Sequence, residues 1–182
     1  MANLLFLSGG VESTCLLEYI DPSTDYAFTV VKKVNNRVAA YHADLDCIEK
    51  IVAHYRLKNH IVFEINYNSV EGMVSFGHQR DWLMPAVQVL CSRLPSVDTL
   101  LFGWHRDEPI KPKFQNIMDA IAMIYPNVKW AYPYHSLTKG EQWQMIPDEI
   151  KKYVISCYDY YDPNHDRENC EKCRERKFWC AE

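Results

Sequence analysis

Seven consecutive residues carry groups that suit a phosphate ester: Ser8, Gly9, Gly10, Val11, Glu12, Ser13 and Thr14. Two glycines after an apolar run let the backbone turn tightly and approach a ligand closely. Unpaired N–H groups at the start of a following helix attract anions. The hydroxyls of Ser8, Ser13 and Thr14 add donors, and Glu12 adds a carboxylate within reach of the same space. The spacing is not that of the Walker loop, which places a lysine before its hydroxyl residue, nor is it G-x-G-x-x-G. A strand–turn–helix corner with a serine cap uses the same residue types, so the pattern leaves both readings open.

A second cluster lies in the tail. Cys170 and Cys173 form C-x-x-C, a spacing at which two thiolates share one tetrahedral zinc, and Cys157 lies upstream. The fourth ligand is His165, with Cys180 as the alternative. If the segment after Cys173 is helical, Cys180 sits roughly 10 Å along the axis, too far for a shared ion. Free thiols on a surface loop are the competing reading. Cys15, Cys47 and Cys91 fall on apolar helical faces and read as core residues.

These groups must be positioned by the rest of the chain. It has 182 residues, 48% hydrophobic and 24% charged, with a formal net charge of −4. That bounds one α/β-sized domain with a core and disfavours a phosphate-backbone binder, which is normally basic. Seven cysteines, an odd count, and no signal-like segment give a cytoplasmic expectation without a disulfide framework. Apolar runs ending near Leu7, Val31, Ile65, Gly103 and Pro133 read as strands. Helical spacing is read over Ser13–Ile20, Arg37–Leu57, Asp81–Leu94, Lys113–Tyr125 and after Thr138, where Glu141 three residues on makes a capping box. Alternating strands and helices predict an α/β three-layer sandwich on a central parallel five-stranded sheet, of Rossmann-like, nucleotide-hydrolase type. The expected division is 1–150 for this domain and 151–182 for a Cys-rich zinc-binding segment packed on it. Parallel sheets bind ligands at the carboxyl ends of their strands, where Ser8–Ser13, Val31–Asn36, Asn66–Arg80 and Gly103–Lys111 fall.

The run SGGVES resembles the SGGxDS loop of the PP-loop pyrophosphatase superfamily, whose members attack the α-phosphate of ATP with a substrate oxygen and release pyrophosphate. Further segments, in order, resemble the 7-cyano-7-deazaguanine synthase family of the queuosine pathway. GWHRDE (Gly103–Glu108) is similar to its G-x-H-x-x-D, KPKF (Lys111–Phe114) to R-P-E-F, and LTKGE (Leu137–Glu141) to L-T-K-A-E. SCYDY around Cys157 and CEKCRERKFW from Cys170 match its cysteine tail, and HQRD (His78–Asp81) is similar to G-R-N. The resemblance implies a ligase that adenylates the carboxylate of 7-carboxy-7-deazaguanine and, with ammonia, forms the 7-amido or 7-cyano product, releasing AMP and pyrophosphate. It implies ATP, Mg2+ and Zn2+ as cofactors, and a deazapurine acid and ammonia as partners. No nucleic acid or membrane is expected, and a homodimer is left open.

On this resemblance Glu12, Lys139 and Arg80 are the catalytic candidates. The 8–14 loop holds pyrophosphate, and His105, Asp107, Glu108 and Lys111 contact the acid. The chain departs from the family at several points. Glu12 stands for aspartate, Lys111 and Lys113 for arginine and glutamate, and Arg167 for one tail cysteine. Two alternatives stay open: a PP-loop ATPase acting on another carboxylic acid or on tRNA, and a nucleotide- or zinc-binding relative that has lost catalysis.

Overall fold

In the computed structural model, described for residues 2–34, 37–40, 45–67, 80–110, 112–155, 166, 168–170 and 173–174, the first apolar run is β1 (Ala2–Phe6). Side chains along a strand alternate between faces, and here both faces are apolar. Leu4 and Phe6 enter one core cluster, while Leu5 and Leu7 enter another. A strand without a polar face is the mark of a parallel sheet covered on both sides.

The loop after β1 leads into α1 (Val11–Cys15), continued by a short 3-10 turn. Then follow β2 (Tyr26–Val34), β3 (Arg37–Ala40), α2 (Leu45–His54) and β4 (His60–Tyr67). The second half comprises α3 (Arg80–Arg93), β5 (Val97–Leu101), α4 (Pro112–Ile124), β6 (Lys129–Ala131), α5 (Lys139–Met145) and α6 (Asp148–Lys151).

Five strands run parallel in the order β4-β2-β1-β5-β6. The architecture is α/β, with a five-stranded parallel sheet between helical layers. The α1, α2, α5 and α6 side buries Ile48, Ile51, Trp143, Ile146 and Ile150. The α3 and α4 side buries Val87, Leu90 and Ile121. Helices change face where strand order reverses, because a right-handed crossover to the left of β1 and one to its right land on opposite faces. That reversal lies between β1 and β5, whose Leu5 and Leu101 are in register.

One segment differs from the sequence expectation. Arg37–Ala40, read as part of a long helix, is strand β3, antiparallel to β2 from Val31↔Ala40 to Val34↔Arg37. The helix begins only at Leu45. β4 takes one edge of β2 from Ala27 to Val34, while β1 takes the other only from Tyr26 to Phe28. The rest of that edge is left with unpaired backbone groups, and β3 satisfies them. The first helix also differs from its expected span of Ser13–Ile20. It starts two residues earlier, at Val11, and tightens to 3-10 geometry from Leu16.

Polar contacts lock the strand starts. Asp25, buried just before β2, accepts from the backbone N–H of Asn3 (2.8 Å), from its amide Nδ2 (2.9 Å) and from the N–H of Asp21 (3.0 Å). Thr29 donates to the Leu7 carbonyl at 2.9 Å and lies 2.9 Å from His60 Nε2. With its only proton on Leu7, the Thr29 hydroxyl accepts from His60, which fixes the Nε2–H tautomer. Burial holds the His60 pKa below its ordinary value. Among the described residues, no helix is long and apolar enough to cross a membrane.

Candidate active site

β1 ends at the sheet's switch point, and residues 8–10 make the turn there. Gly9 has φ 80°, the left-handed region that side chains avoid. Gly10 caps α1 in extended geometry, and its carbonyl accepts from Thr14 N–H at 3.0 Å. The hydroxyls face one another: Ser8 Oγ lies 3.0 Å from Ser13 Oγ, Ser13 Oγ takes the Ser8 N–H at 3.2 Å, and Gly10 N–H points to Ser8 Oγ at 3.4 Å. Val11, Ser13 and Thr14 are buried, and Thr14 Oγ1 has no hydrogen-bond partner among the described residues. The Gly9 carbonyl accepts from Ile155 N–H at 2.9 Å, so the chain returns from α6 to brace this loop.

Glu12 projects from the first turn of α1 to meet residues from two distant segments. Lys139, first residue of α5, puts its Nζ 2.8 Å from Glu12 Oε1. His105, after β5, has Nε2 3.7 Å from the same oxygen and 3.5 Å from Glu108 Oε2, with Nδ1 3.8 Å from Asp107 Oδ2. The side chains of Lys139 and His105 are each only 11% exposed. A buried ammonium loses hydration that one carboxylate regains only in good geometry. A lysine read as a cationic group at a helix start is thus held inside, against Glu12 of the 8–14 loop.

The close approach of these segments depends on Gly103. A Cβ there would lie 2.4 Å from the Glu12 carbonyl carbon and 2.7 Å from its Cβ and oxygen. The backbone after β5 lies directly on the backbone of α1, which brings His105 to Glu12. α5 is seated by its own start. Thr138 Oγ1 accepts from Glu141 N–H at 3.1 Å, and the Glu141 carboxylate accepts from the Thr138 N–H at 2.6 Å and the Thr138 hydroxyl at 2.8 Å, two bonds that hold that carboxyl below its ordinary range.

Beside the charged group opens a cleft of about 650 Å³. Trp104, His105 and Glu108 form one wall; Tyr132, His135 and Ser136, after β6, form the other. Trp104 packs on Phe114, ring centroids 5.5 Å apart, and edge-on to Tyr132 at 6.3 Å. Burial pushes the Tyr132 hydroxyl up to about 12, so it stays neutral and donates to Met118 Sδ at 2.7 Å.

The sequence candidates are therefore distributed as follows. Glu12, Lys139, His105, Asp107 and Glu108 come together around the 8–14 loop. Arg80 opens α3. Lys111, Cys157, His165 and Cys180 lie outside the described residues, as does Arg167. The Arg174 N–H donates to the Cys170 carbonyl at 3.0 Å, and Cys173 is buried. Among the described residues no group of three or more His, Cys, Asp or Glu side chains is placed to hold a metal ion. Cys15 and Cys91 are buried, which raises both thiols, Cys91 to about 11; neither is a nucleophile. Sequence reasoning assigned no site role to Gly103 or Gln142. In the sequence Gly103 shows as the strand-ending glycine and the first residue of GWHRDE, and Gln142 only as the residue after the capping glutamate.

No family model and no curated protein matches the chain. Among solved structures it is similar to the U34-tRNA thiolase NcsA from Methanococcus maripaludis with its 4Fe-4S cluster, at a TM-score of 0.44 and 15% identity. The match covers 100% of this chain and 63% of that one, so the chain spans less than two thirds of the thiolase's length. A likeness at that level decides nothing about the chemistry of this chain.

Proposed function

We propose that the chain is an ATP-dependent ligase of PP-loop type, which adenylates the carboxylate of 7-carboxy-7-deazaguanine and, with ammonia, forms the amide or the nitrile. The observation that carries this reading is the meeting of Glu12, His105 and Lys139 at the switch point. Each lies in a separate segment that resembles the same family, and folding puts all three at one mouth.

A carboxylate oxygen is a poor leaving group. Its attack on the α-phosphorus of ATP expels pyrophosphate and leaves an acyl adenylate. Ammonia displaces AMP to give the amide, and a second activation, of the amide oxygen, allows dehydration to the nitrile. Such chemistry needs alignment and charge neutralisation more than covalent help. In this reading the loop N–H groups and the Ser8 and Ser13 hydroxyls bind pyrophosphate, and Lys139 offsets its charge. Magnesium is commonly held by one or two carboxylates together with substrate phosphates. That fits a site where Glu12 offers a carboxylate and no all-protein metal cage is described; the ion would offset charge on the leaving pyrophosphate. Zinc would be held by the Cys170 and Cys173 thiolates with Cys157 and His165, or with Cys180, as a structural ion bracing the tail.

The test is incubation of the full chain with ATP, magnesium, ammonium and 7-carboxy-7-deazaguanine. AMP and pyrophosphate released in dependence on the acid are the expected result. Folded protein that forms neither, with this or any deazapurine acid, overturns the reading.

A further inference from the structure

Gln142 joins the two walls of the cleft. It lies on α5 three residues after Lys139, so both fall on one side of the helix, and it is 1% exposed. Its amide Nε2 lies 2.6 Å from the Trp104 carbonyl and 2.9 Å from the Tyr134 carbonyl. Both partners are acceptors, so only the NH2 end of the amide can face them. Each of its two protons goes to a different wall: Trp104 belongs to the loop after β5, and Tyr134 to the loop after β6. A backbone bond ties the same loops nearby, from Arg106 N–H to the Leu137 carbonyl at 2.8 Å.

We infer that Gln142 is a positioning residue that holds the loop after β5 against the loop after β6 and so fixes Trp104 and His105 on the cleft. Through those two residues it governs binding of the planar acid, while leaving the nucleotide loop alone. The link to the acid rests on the proposed function; the clamp itself does not. The cleft adjoins His105, which stands beside Glu12. An acid seated in the cleft beside Trp104 and His105 would therefore present its carboxylate toward the nucleotide loop. Methionine in place of Gln142 keeps the volume but removes both donors. Asparagine keeps the amide but is one methylene too short to reach both carbonyls.

Amide hydrogen exchange on the full chain compares wild type with Gln142→Met and Gln142→Asn. Exchange at Arg106 N–H is expected to quicken roughly tenfold in both, while Ile155 N–H, bonded to the nucleotide loop, keeps its protection. In ATP–pyrophosphate exchange with 7-carboxy-7-deazaguanine, KM for the acid is expected to rise about tenfold with kcat and KM for ATP close to wild type. Unchanged Arg106 protection in both folded variants overturns the clamp. Lost protection with an unchanged acid KM overturns its role toward the acid. If wild type is inactive on every acid yet Arg106 protection falls in the variants, the proposed function fails and the clamp is supported.

Discussion

Three segments of the chain meet at Glu12. It holds a buried lysine at 2.8 Å, stands 3.7 Å from a histidine, and lends its backbone to the contact with Gly103. Aspartate would end about 1.5 Å short of the present carboxylate, one bond length. We expect Glu12→Asp to retain turnover at a reduced rate and Glu12→Ala to abolish it, measured as AMP formed with the deazapurine acid. Full activity in the alanine variant would show that this carboxylate takes no part in the chemistry. Gly103 makes a separate prediction. In Gly103→Ala the new methyl meets the backbone of Glu12, which has no rotamer by which to yield. Overpacking of this kind costs about 1–3 kcal/mol. The urea midpoint should fall accordingly, and turnover should drop with it. An alanine variant of wild-type stability and activity would mean the two segments do not touch in solution.

At the scale of elements, α5 is a short helix that must hold Lys139 and Gln142 in place. Its seven residues are too few to persist by propensity, so its cap and its buried Trp143 matter. Thr138→Ala should cost about 1 kcal/mol, read from thermal or urea unfolding. The Glu141 carboxyl adds a pH signature. Hydrogen bonds from Thr138 lower its pKa in the folded state, so its contribution is present above the ordinary carboxylate value and fades as pH falls through the lowered one. That acid-side slope should flatten in part in Thr138→Ala, which loses the hydroxyl's bond and keeps the larger one from the backbone N–H, and should be lost in Glu141→Gln; an unchanged profile in both would deny the capping box an energetic role. The capping box was legible from Thr138 and Glu141 alone, because it is a local pattern of hydrogen bonds. β3 was not. Arg37–Ala40 carries no strong strand alternation and becomes a strand because an exposed edge of β2 lies next to it.

For the whole molecule, the sheet is pinned across β4, β2 and β1 by the chain from His60 through Thr29 to the Leu7 carbonyl. Burial lowers the His60 pKa in the folded state, so the unfolded chain binds more protons in the window below the ordinary histidine value. Stability should therefore be full above about pH 6.5 and fall as pH drops through the lowered folded value. Urea midpoints measured across that range should show the slope in wild type and lose it in His60→Gln. An equal slope in both would place the titration elsewhere.

Sequence alone determined the parallel α/β class, because strands alternating with helices along the chain imply crossover connections that leave neighbouring strands parallel. Residue type and local spacing also gave the Thr138 cap, while Glu12, His105 and Lys139 were named together only through the family resemblance. Tertiary structure decided what those residues do to one another. Glu12 and Lys139 are separated by most of the chain, and nothing local sets their 2.8 Å contact. It follows from α5 packing on the same face of the sheet as α1; the reversal of strand order between β1 and β5, with Gly103 letting backbone rest on backbone, brings His105 to the same carboxylate. Gln142 became visible for the same reason: a buried amide has meaning only through the two carbonyls that folding places before it.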